Sequence, residues 1–345
     1  MVNILFHFYR RINKVFRARV LQMTILFVVL VCYSASGYMY HELPGNPDLT
    51  WIDALWWAVV TMTTVGYGDL FPVTLWGRIL VGLPTMLLGV GVLGYMLSLV
   101  ATAMLESKMM EAKGMKDILY SNHIIVCNFV NLDKTLKLIT ELNRDLSTQE
   151  NAIVVIDEII EELPAELLEH NVQFVQGDAS RKHVLMRANV SEAQSVLIQA
   201  DPNRRVESDN RNLKIVLTVE SISRSIKTVV ECLDPENQVY FKRAHCDATV
   251  CISSLAGQMM VQELQDPGVS DIVAELTSNT HGKQFYLVKT GGSKRSYEAL
   301  CLEYESTETK LIGIRRADQN HILPKADFVV HNGDRAIIVA THRPT

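Results

Sequence analysis

Two long stretches without a formal charge, residues 20–40 and 79–105, bracket a segment that contains Thr64-Val65-Gly66-Tyr67-Gly68-Asp69. The first stretch holds 21 residues and the second 27. A helix needs about 20 apolar residues to cross the hydrocarbon core of a bilayer, so each is long enough to span. A cleaved signal peptide is the alternative for the first. It fits poorly, because the run is long and no small-residue cleavage site is evident.

Charge sets the orientation. Residues 1–19 carry Arg10, Arg11, Lys14, Arg17 and Arg19 and no acid. The segment between the spans carries Glu42, Asp48, Asp53 and Asp69, with Arg78 at its end. Basic flanks stay in the cytoplasm. The expected protein is therefore a multi-pass protein of the cell (inner) membrane, with both termini cytoplasmic, membrane lipid around its spans, and everything after about residue 106 in the cytosol.

The external segment begins with a turn-rich stretch, "HELPGNPD", and continues as a mostly apolar helix over 50–63, with Asp48 or Thr50 as cap. About fourteen residues make roughly 20 Å of helix, too short to span. A short apolar helix between two spans reads as a re-entrant loop. Such a loop persists at membrane depth only where it lines a water-filled cavity or is buried in protein.

A dehydrated K⁺ ion needs oxygens in place of its water. Residues 64–69 can supply them as carbonyls if the backbone turns successive C=O groups the same way. Glycines at 66 and 68 permit left-handed angles at low cost, and Thr64 adds a hydroxyl. Tyr67 is expected to point away from the pore, onto Trp56 or Trp57. One loop cannot encircle an ion, so four subunits are implied. Thr-Val-Gly-Tyr-Gly is the pentapeptide by which K⁺ filters are generally illustrated; the bland alternative is a glycine turn.

Beyond a polar linker, 106–121, the pattern changes. Apolar runs at 123–129, 152–158, 172–178, 195–200, 228–233 and 248–253 alternate with helical segments near 132–146, 159–170, 180–188, 206–221 and 236–245. Alternating strands and helices with apolar strands indicate a doubly wound parallel sheet, and six strands is the Rossmann count. The segment 122–253 reads as this lobe, 254–269 as a crossover helix, and 270–345 as a small α+β lobe. The net charge of −5 and pI of about 6.1 do not suggest a nucleic-acid binder. Six cysteines without a CxxC pair read as reduced thiols, and His245-Cys246 with Cys251 lacks zinc-site spacing.

In this order the chain resembles prokaryotic two-transmembrane K⁺ channels with a cytosolic RCK domain (regulator of K⁺ conductance), including calcium-gated members. The resemblance covers nearly the whole chain. It implies an all-α pore domain with outer helix 20–40, pore helix 50–63, filter 64–69 and inner helix 77–105. A Rossmann-like RCK domain and a small C-terminal lobe follow. It further implies a homotetrameric pore on an octameric gating ring; whether soluble copies arise from an internal start such as Met115 is open. Asp69 would anchor the outer mouth of the filter. A hinge in the inner helix is expected at Gly89, with Gly91 and Gly94 as neighbours and Pro84 as a further source of bending.

Two ligand classes follow. Calcium-gated relatives are similar in having an acid after the third strand and acids near the end of the fifth. That places Ca²⁺ at Asp178 and Glu231, with Asp234 compensating for Leu233. A nucleotide (NAD, ADP or ATP) is the alternative, at Asn128 after the first strand and Asp157 ending the second. The loop after the first strand lacks the phosphate-binding glycines. "TGGSKRS", 290–296, reads as the loop opening the small lobe rather than a phosphate nest. A membrane-tethered NAD-dependent oxidoreductase finds no catalytic constellation, and a regulatory subunit of a K⁺ transporter would not carry this filter sequence.

Overall fold

The computed structural model describes residues 2–145, 147–280, 282–291, 294–305 and 308–344, with side chains from residue 18 onward. The chain divides into two compact units, Met1–Met109 and Met110–Thr345.

In the first unit, α1 runs Val2–Glu42, α2 Trp51–Met62 and α3 Leu83–Ala112, the last preceded by a π-helical turn, Gly77–Gly82. No glycine or proline interrupts residues 2–19, and α1 extends through them. Thr50, not Asp48, caps α2. Its Oγ1 accepts from Asp53 N–H at 3.2 Å, and Asp53 Oδ2 accepts from Thr50 N–H at 3.0 Å, a reciprocal capping box. Two helical segments, Ala18–Glu42 and Gly77–Ala112, are long and apolar enough to cross a membrane. Their faces expose Leu21, Val28, Val29, Leu87 and Leu97, which suits lipid as solvent. Ala35, Tyr38, Ala54, Trp57, Ala58, Met62 and Val81 form the core of this unit.

The second unit holds a six-stranded parallel sheet: β1 Ile124–Cys127, β2 Ile153–Asp157, β3 Gln173–Gln176, β4 Ser195–Ile198, β5 Lys227–Cys232 and β6 Ala248–Cys251. The spatial order is β3-β2-β1-β4-β5-β6, so the chain reverses its winding between β1 and β4. Helices α4 Leu132–Arg144, α5 Ala165–Glu169, α6 Lys182–Arg187, α7 Arg205–Ile222 and α8 Gln238–Arg243 cover the faces. All six expected strands form. The helix expected over 159–170 shrinks to the five residues of α5, because Pro164 disfavours helix in the residue before it. Two apolar cores lie on opposite faces of the sheet, one around Ile125, Val154, Val196, Ile215 and Phe241, the other around Val126, Ile139, Val155, Leu167 and Phe174.

Helix α9, Ile252–Gln265, leaves β6. Pro267 and Gly268 (φ +100°) break it before α10, Val269–Thr277. The lobe expected from 270 therefore opens with a helix. It continues as β7 Gln284–Lys289, β8 Arg295–Ser296, α11 Tyr297–Glu303, β9 Thr309–Arg316, β10 Gln319–Ile322, β11 Val329–Val330 and β12 Arg335–Ala340. An antiparallel sheet β10-β9-β12-β7 and a short β11-β8 pair enclose a small core around Tyr286, Leu300, Ile314 and Ile338. The segment 290–296 includes Gly292 and Ser293, which lie outside the described residues; beside them Gly291 C=O accepts from Arg295 Nη2.

Within the second unit, residues 112–117 are hydrogen-bonded to the Rossmann-like lobe. Leu163 N–H donates to Ala112 C=O at 3.0 Å, and Gln176 N–H to Gly114 C=O at 3.0 Å. Gly114 has φ +61°, and a Cβ there would sit 2.4 Å from Gln176 N, so a side chain is excluded by both conformation and space. Arg187 adds Nη2–H to Gly114 C=O at 2.6 Å and Nε–H to Asp117 at 3.3 Å.

Candidate functional site

The segment after α2 stays hydrogen-bonded to the helix end. Val65 and Gly66 N–H both donate to Val60 C=O, at 3.1 and 3.3 Å. Thr64, Gly66 and Gly68 have φ of +62°, +55° and +77°, while Val65 and Tyr67 are not left-handed. Alternate residues in the left-handed region turn successive carbonyls toward one side, which an ordinary strand does not do. No heavy atom lies within 4 Å of a Cβ built on either glycine, so the requirement for glycine is conformational, not spatial. Thr64 adopts the same region with a side chain, at a cost of about 1–2 kcal/mol. Sequence reasoning gave it only a hydroxyl role.

Aromatic and acidic groups back this segment. Tyr67 stacks on Trp56, centroids 5.8 Å apart and planes 4° from parallel. Trp56 Nε1–H donates to Asp69 Oδ2 at 2.9 Å. Trp57 stacks instead on Tyr38 of α1, at 4.4 Å. Glu42, read from sequence only as a marker of orientation, is buried at the end of α1. Its carboxylate accepts from Val73 N–H at 3.0 Å, Thr74 N–H at 3.1 Å and Thr74 Oγ1–H at 2.7 Å, fixing the chain as it leaves residues 64–69.

The inner-helix candidates separate. Gly89 is buried, and a Cβ on it would lie 2.8 Å from Met62 Cα; it lets α3 approach the end of α2, the close-packing use of glycine. Gly91 and Gly94 have open space around them. Pro84 has no N–H to give Leu80 C=O, four residues earlier. Tyr33 Oη–H donates to that carbonyl at 2.6 Å. One residue on, Ser34 Oγ and Thr85 Oγ1 share a buried hydrogen bond of 2.7 Å.

At the carboxyl edge of the parallel sheet, four of the five ligand candidates are engaged as follows. Asn128 (φ +68°) donates Nδ2–H to Gln199 C=O at 2.8 Å and Asn212 Oδ1 at 2.9 Å. Asp157, 3% exposed, accepts from Phe129, Ile159 and Ile160 N–H at 2.9, 2.7 and 3.0 Å. Each carboxylate oxygen thus accepts from backbone N–H groups of the loops after β1 and β2. Glu231 Oε2 accepts from Lys134 Nζ at 2.5 Å and Ala200 N–H at 2.8 Å. Asp178 pairs with Arg181 at 3.5 Å and Arg211 at 3.7 Å. Burial works to raise its pKa, but the Ser180 N–H and hydroxyl and the two guanidiniums outweigh it, holding the carboxyl below the usual range.

The expectation that Asp178 and Glu231 converge is not met. They follow β3 and lie on β5, four places apart in the sheet, or roughly 19 Å at the usual strand spacing. Asp234 caps its own turn, accepting from Glu236 N–H at 3.1 Å. Leu233 N–H donates to buried Asp209 at 3.0 Å. Among the described residues no three His, Cys, Asp or Glu side chains gather to hold a metal.

Asp178 and Glu231 therefore do not come together within one chain. Sequence reasoning missed Asp209, Lys134 and Arg211, whose roles arise from strand order rather than spacing. Near the reversal between β1 and β4, Gln199 Nε2, Asn128 Oδ1 and Arg211 Nε and Nη2 are buried without a hydrogen-bond partner.

Comparison with known proteins agrees with this arrangement. An ion-channel family model matches residues 25–106, and a TrkA-N domain model matches residues 137–252. The calcium-gated potassium channel TvoK of Thermoplasma volcanium is 26% identical over 78% of this chain and 76% of its own length. Potassium channel protein 1 of Methanocaldococcus jannaschii is 25% identical over 81% and 83%. The solved GsuK channel superposes with a TM-score of 0.51 at 16% identity, over 94% of this chain and 58% of that chain, a likeness of fold. The chain is thus a membrane protein that joins an ion-channel domain to a TrkA-N (RCK) domain, the combination of the prokaryotic potassium channels that are its relatives.

Proposed function

We propose that four copies of this chain form a K⁺-selective pore whose filter is Thr64–Gly68, opened by a ligand on the cytosolic lobe. The observation that carries the pore reading is the alternation of left-handed backbone at Thr64, Gly66 and Gly68, which aims carbonyls at a common axis. Asp69, tied to Trp56, closes the outer end. The termini are cytoplasmic, and the lobes assemble as a ring of eight around the four pore subunits.

The crevice at the strand reversal is where open α/β sheets take ligands. Gln199 Nε2 and Asn128 Oδ1, buried there without a hydrogen-bond partner, and Arg211, which pairs with Glu158 and Asp178 beside them, support a nucleotide such as NAD, ADP or ATP, bound by Asn128, Gln199 and Arg211 rather than by Asp157. Ca²⁺ is the second reading and rests on the name of TvoK. Against it, Lys134 and the two arginines already neutralise Glu231 and Asp178. A ligand acts only through unequal affinity for two states. Movement of the lobe would reach α3 through the linker fastened at Ala112 and Gly114. K⁺ flux from proteoliposomes, screened against NAD, ADP, ATP and Ca²⁺, tests this. Stimulation by a nucleotide is expected; stimulation by Ca²⁺ alone would reverse the choice of ligand.

A further inference from the structure

Cys232 and Cys251 are 19 positions apart in sequence but are register partners, the last residues of adjacent parallel strands β5 and β6. Neighbouring strands lie about 4.8 Å apart, inside the roughly 4.4–6.8 Å between the Cα atoms of a disulfide. Register partners also point their side chains to the same face. Here both face α8: Cys232 packs in the core with Phe241, and Cys251 has the Gln238 side chain as a hydrogen-bond partner. Ser253 Oγ–H donates to Leu233 C=O at 2.8 Å, holding the turn after β6 against the end of β5.

The two thiols are chemically unlike. Cys232 is fully buried and donates to Asp234 C=O at 2.9 Å, with Asp209 Oδ2 at 3.6 Å. Burial, then the Asp209 carboxylate, push its pKa up to about 12. Cys251 is partly exposed and occupies the cap position of the 14-residue α9. Burial works to raise its pKa, but hydrogen bonds with Ser253, Ser254 and Gln238 bring it below the ordinary value. One thiol is poised to react and the other to resolve.

We propose that Cys251 and Cys232 are a redox pair, which a hydroperoxide converts to an intrachain disulfide fastening the root of α9 to β5. The Cys251 thiolate attacks a peroxide oxygen and the O–O bond breaks, giving the sulfenic acid and, from hydrogen peroxide, hydroxide that leaves as water. The Cys232 sulfur then attacks the Cys251 sulfur. The S–O bond breaks, and the hydroxyl leaves as water with the Cys232 proton. Two thiols lose two electrons and two protons, and one peroxide becomes two waters. The disulfide removes the Cys232 donor from Asp209, which also holds Leu233 N–H, Asp234 N–H and Asn237 Nδ2–H, so oxidation alters the loop that follows Glu231.

The test is mass spectrometry on the full-length channel in liposomes, treated with hydrogen peroxide, alkylated and digested. The expected product is a linked peptide pair containing Cys232 and Cys251, two hydrogens lighter than the separate thiols and released by dithiothreitol. Cys232→Ser should leave Cys251 as a sulfenic acid trapped by dimedone, and Cys251→Ser should abolish both products. Wild-type channel in which Cys251 is oxidised with no link to Cys232, or in which neither thiol reacts, would overturn the proposal.

Discussion

Tyr33 of the outer helix donates its hydroxyl, at 2.6 Å, to Leu80 C=O, the carbonyl to which Pro84, four residues on, has no N–H to give. A proline in a spanning helix is tolerated when a neighbouring helix satisfies the freed carbonyl. Here that neighbour lies 47 residues earlier in the same chain.

Tyr33→Phe should therefore destabilise the pore unit by about 1 kcal/mol, the cost of one lost hydrogen bond. In a Pro84→Ala background, which restores the helical donor, the same change should cost much less. Thermal denaturation of the detergent-solubilised channel across this double-mutant cycle measures the coupling. Equal losses in both backgrounds would mean that Tyr33 contributes packing alone.

Gly89→Ala places a methyl 2.8 Å from Met62 Cα. Backbone cannot swing aside as a side-chain tip does, so tetramer yield should fall and the shift in melting should exceed that of Gly91→Ala or Gly94→Ala, whose surroundings are open. Size-exclusion profiles of the three variants compare them. A Gly89→Ala channel assembling and melting like wild type would contradict the close-packing role.

What was legible in the sequence follows the range of the forces involved. The six strands show as apolar runs because burial on both faces of a parallel sheet leaves a local imprint. The unusual backbone at 66 and 68 shows because left-handed angles select glycine. Thr64 gives no such sign, since its conformation is imposed by the residues around it. The convergence of Asp178 with Glu231 fails for a related reason: strand order is decided by pairings far apart in sequence, and position along the chain does not reveal which strand ends are neighbours. The same ordering brings Cys232 beside Cys251 and Lys134 onto Glu231.

Asp157→Ala removes the acceptor of three backbone N–H groups. It should destabilise the cytosolic unit by roughly 2–3 kcal/mol, with the concentration of nucleotide needed for half-maximal flux changed less than threefold. Denaturant unfolding and a flux titration read the two effects separately. Intact stability with a tenfold or greater loss of nucleotide sensitivity would make Asp157 a ligand contact.

In the C-terminal lobe, Arg316 donates Nη2–H to buried Asp334 at 2.7 Å and Nε–H at 3.0 Å. These bonds hold the Asp334 carboxyl below its ordinary value of 3.8, against the opposing effect of burial. A depressed pKa contributes stability that is present above the unfolded value and lost as pH falls through the folded one. Wild type should lose stability below about pH 4, whereas Asp334→Asn should start lower and show a shallower decline there. Parallel pH curves for the two proteins would remove Asp334 from that role.

The central claim is that the backbone of Thr64–Gly68 selects K⁺. It is tested most directly by the reversal potential of the purified channel in planar bilayers with K⁺ on one side and Na⁺ on the other. The expected reversal lies near the K⁺ equilibrium potential, and Gly66→Ala, which strains the left-handed position, abolishes that selectivity or the current. A wild-type reversal near zero, with K⁺ and Na⁺ passing alike, would contradict it.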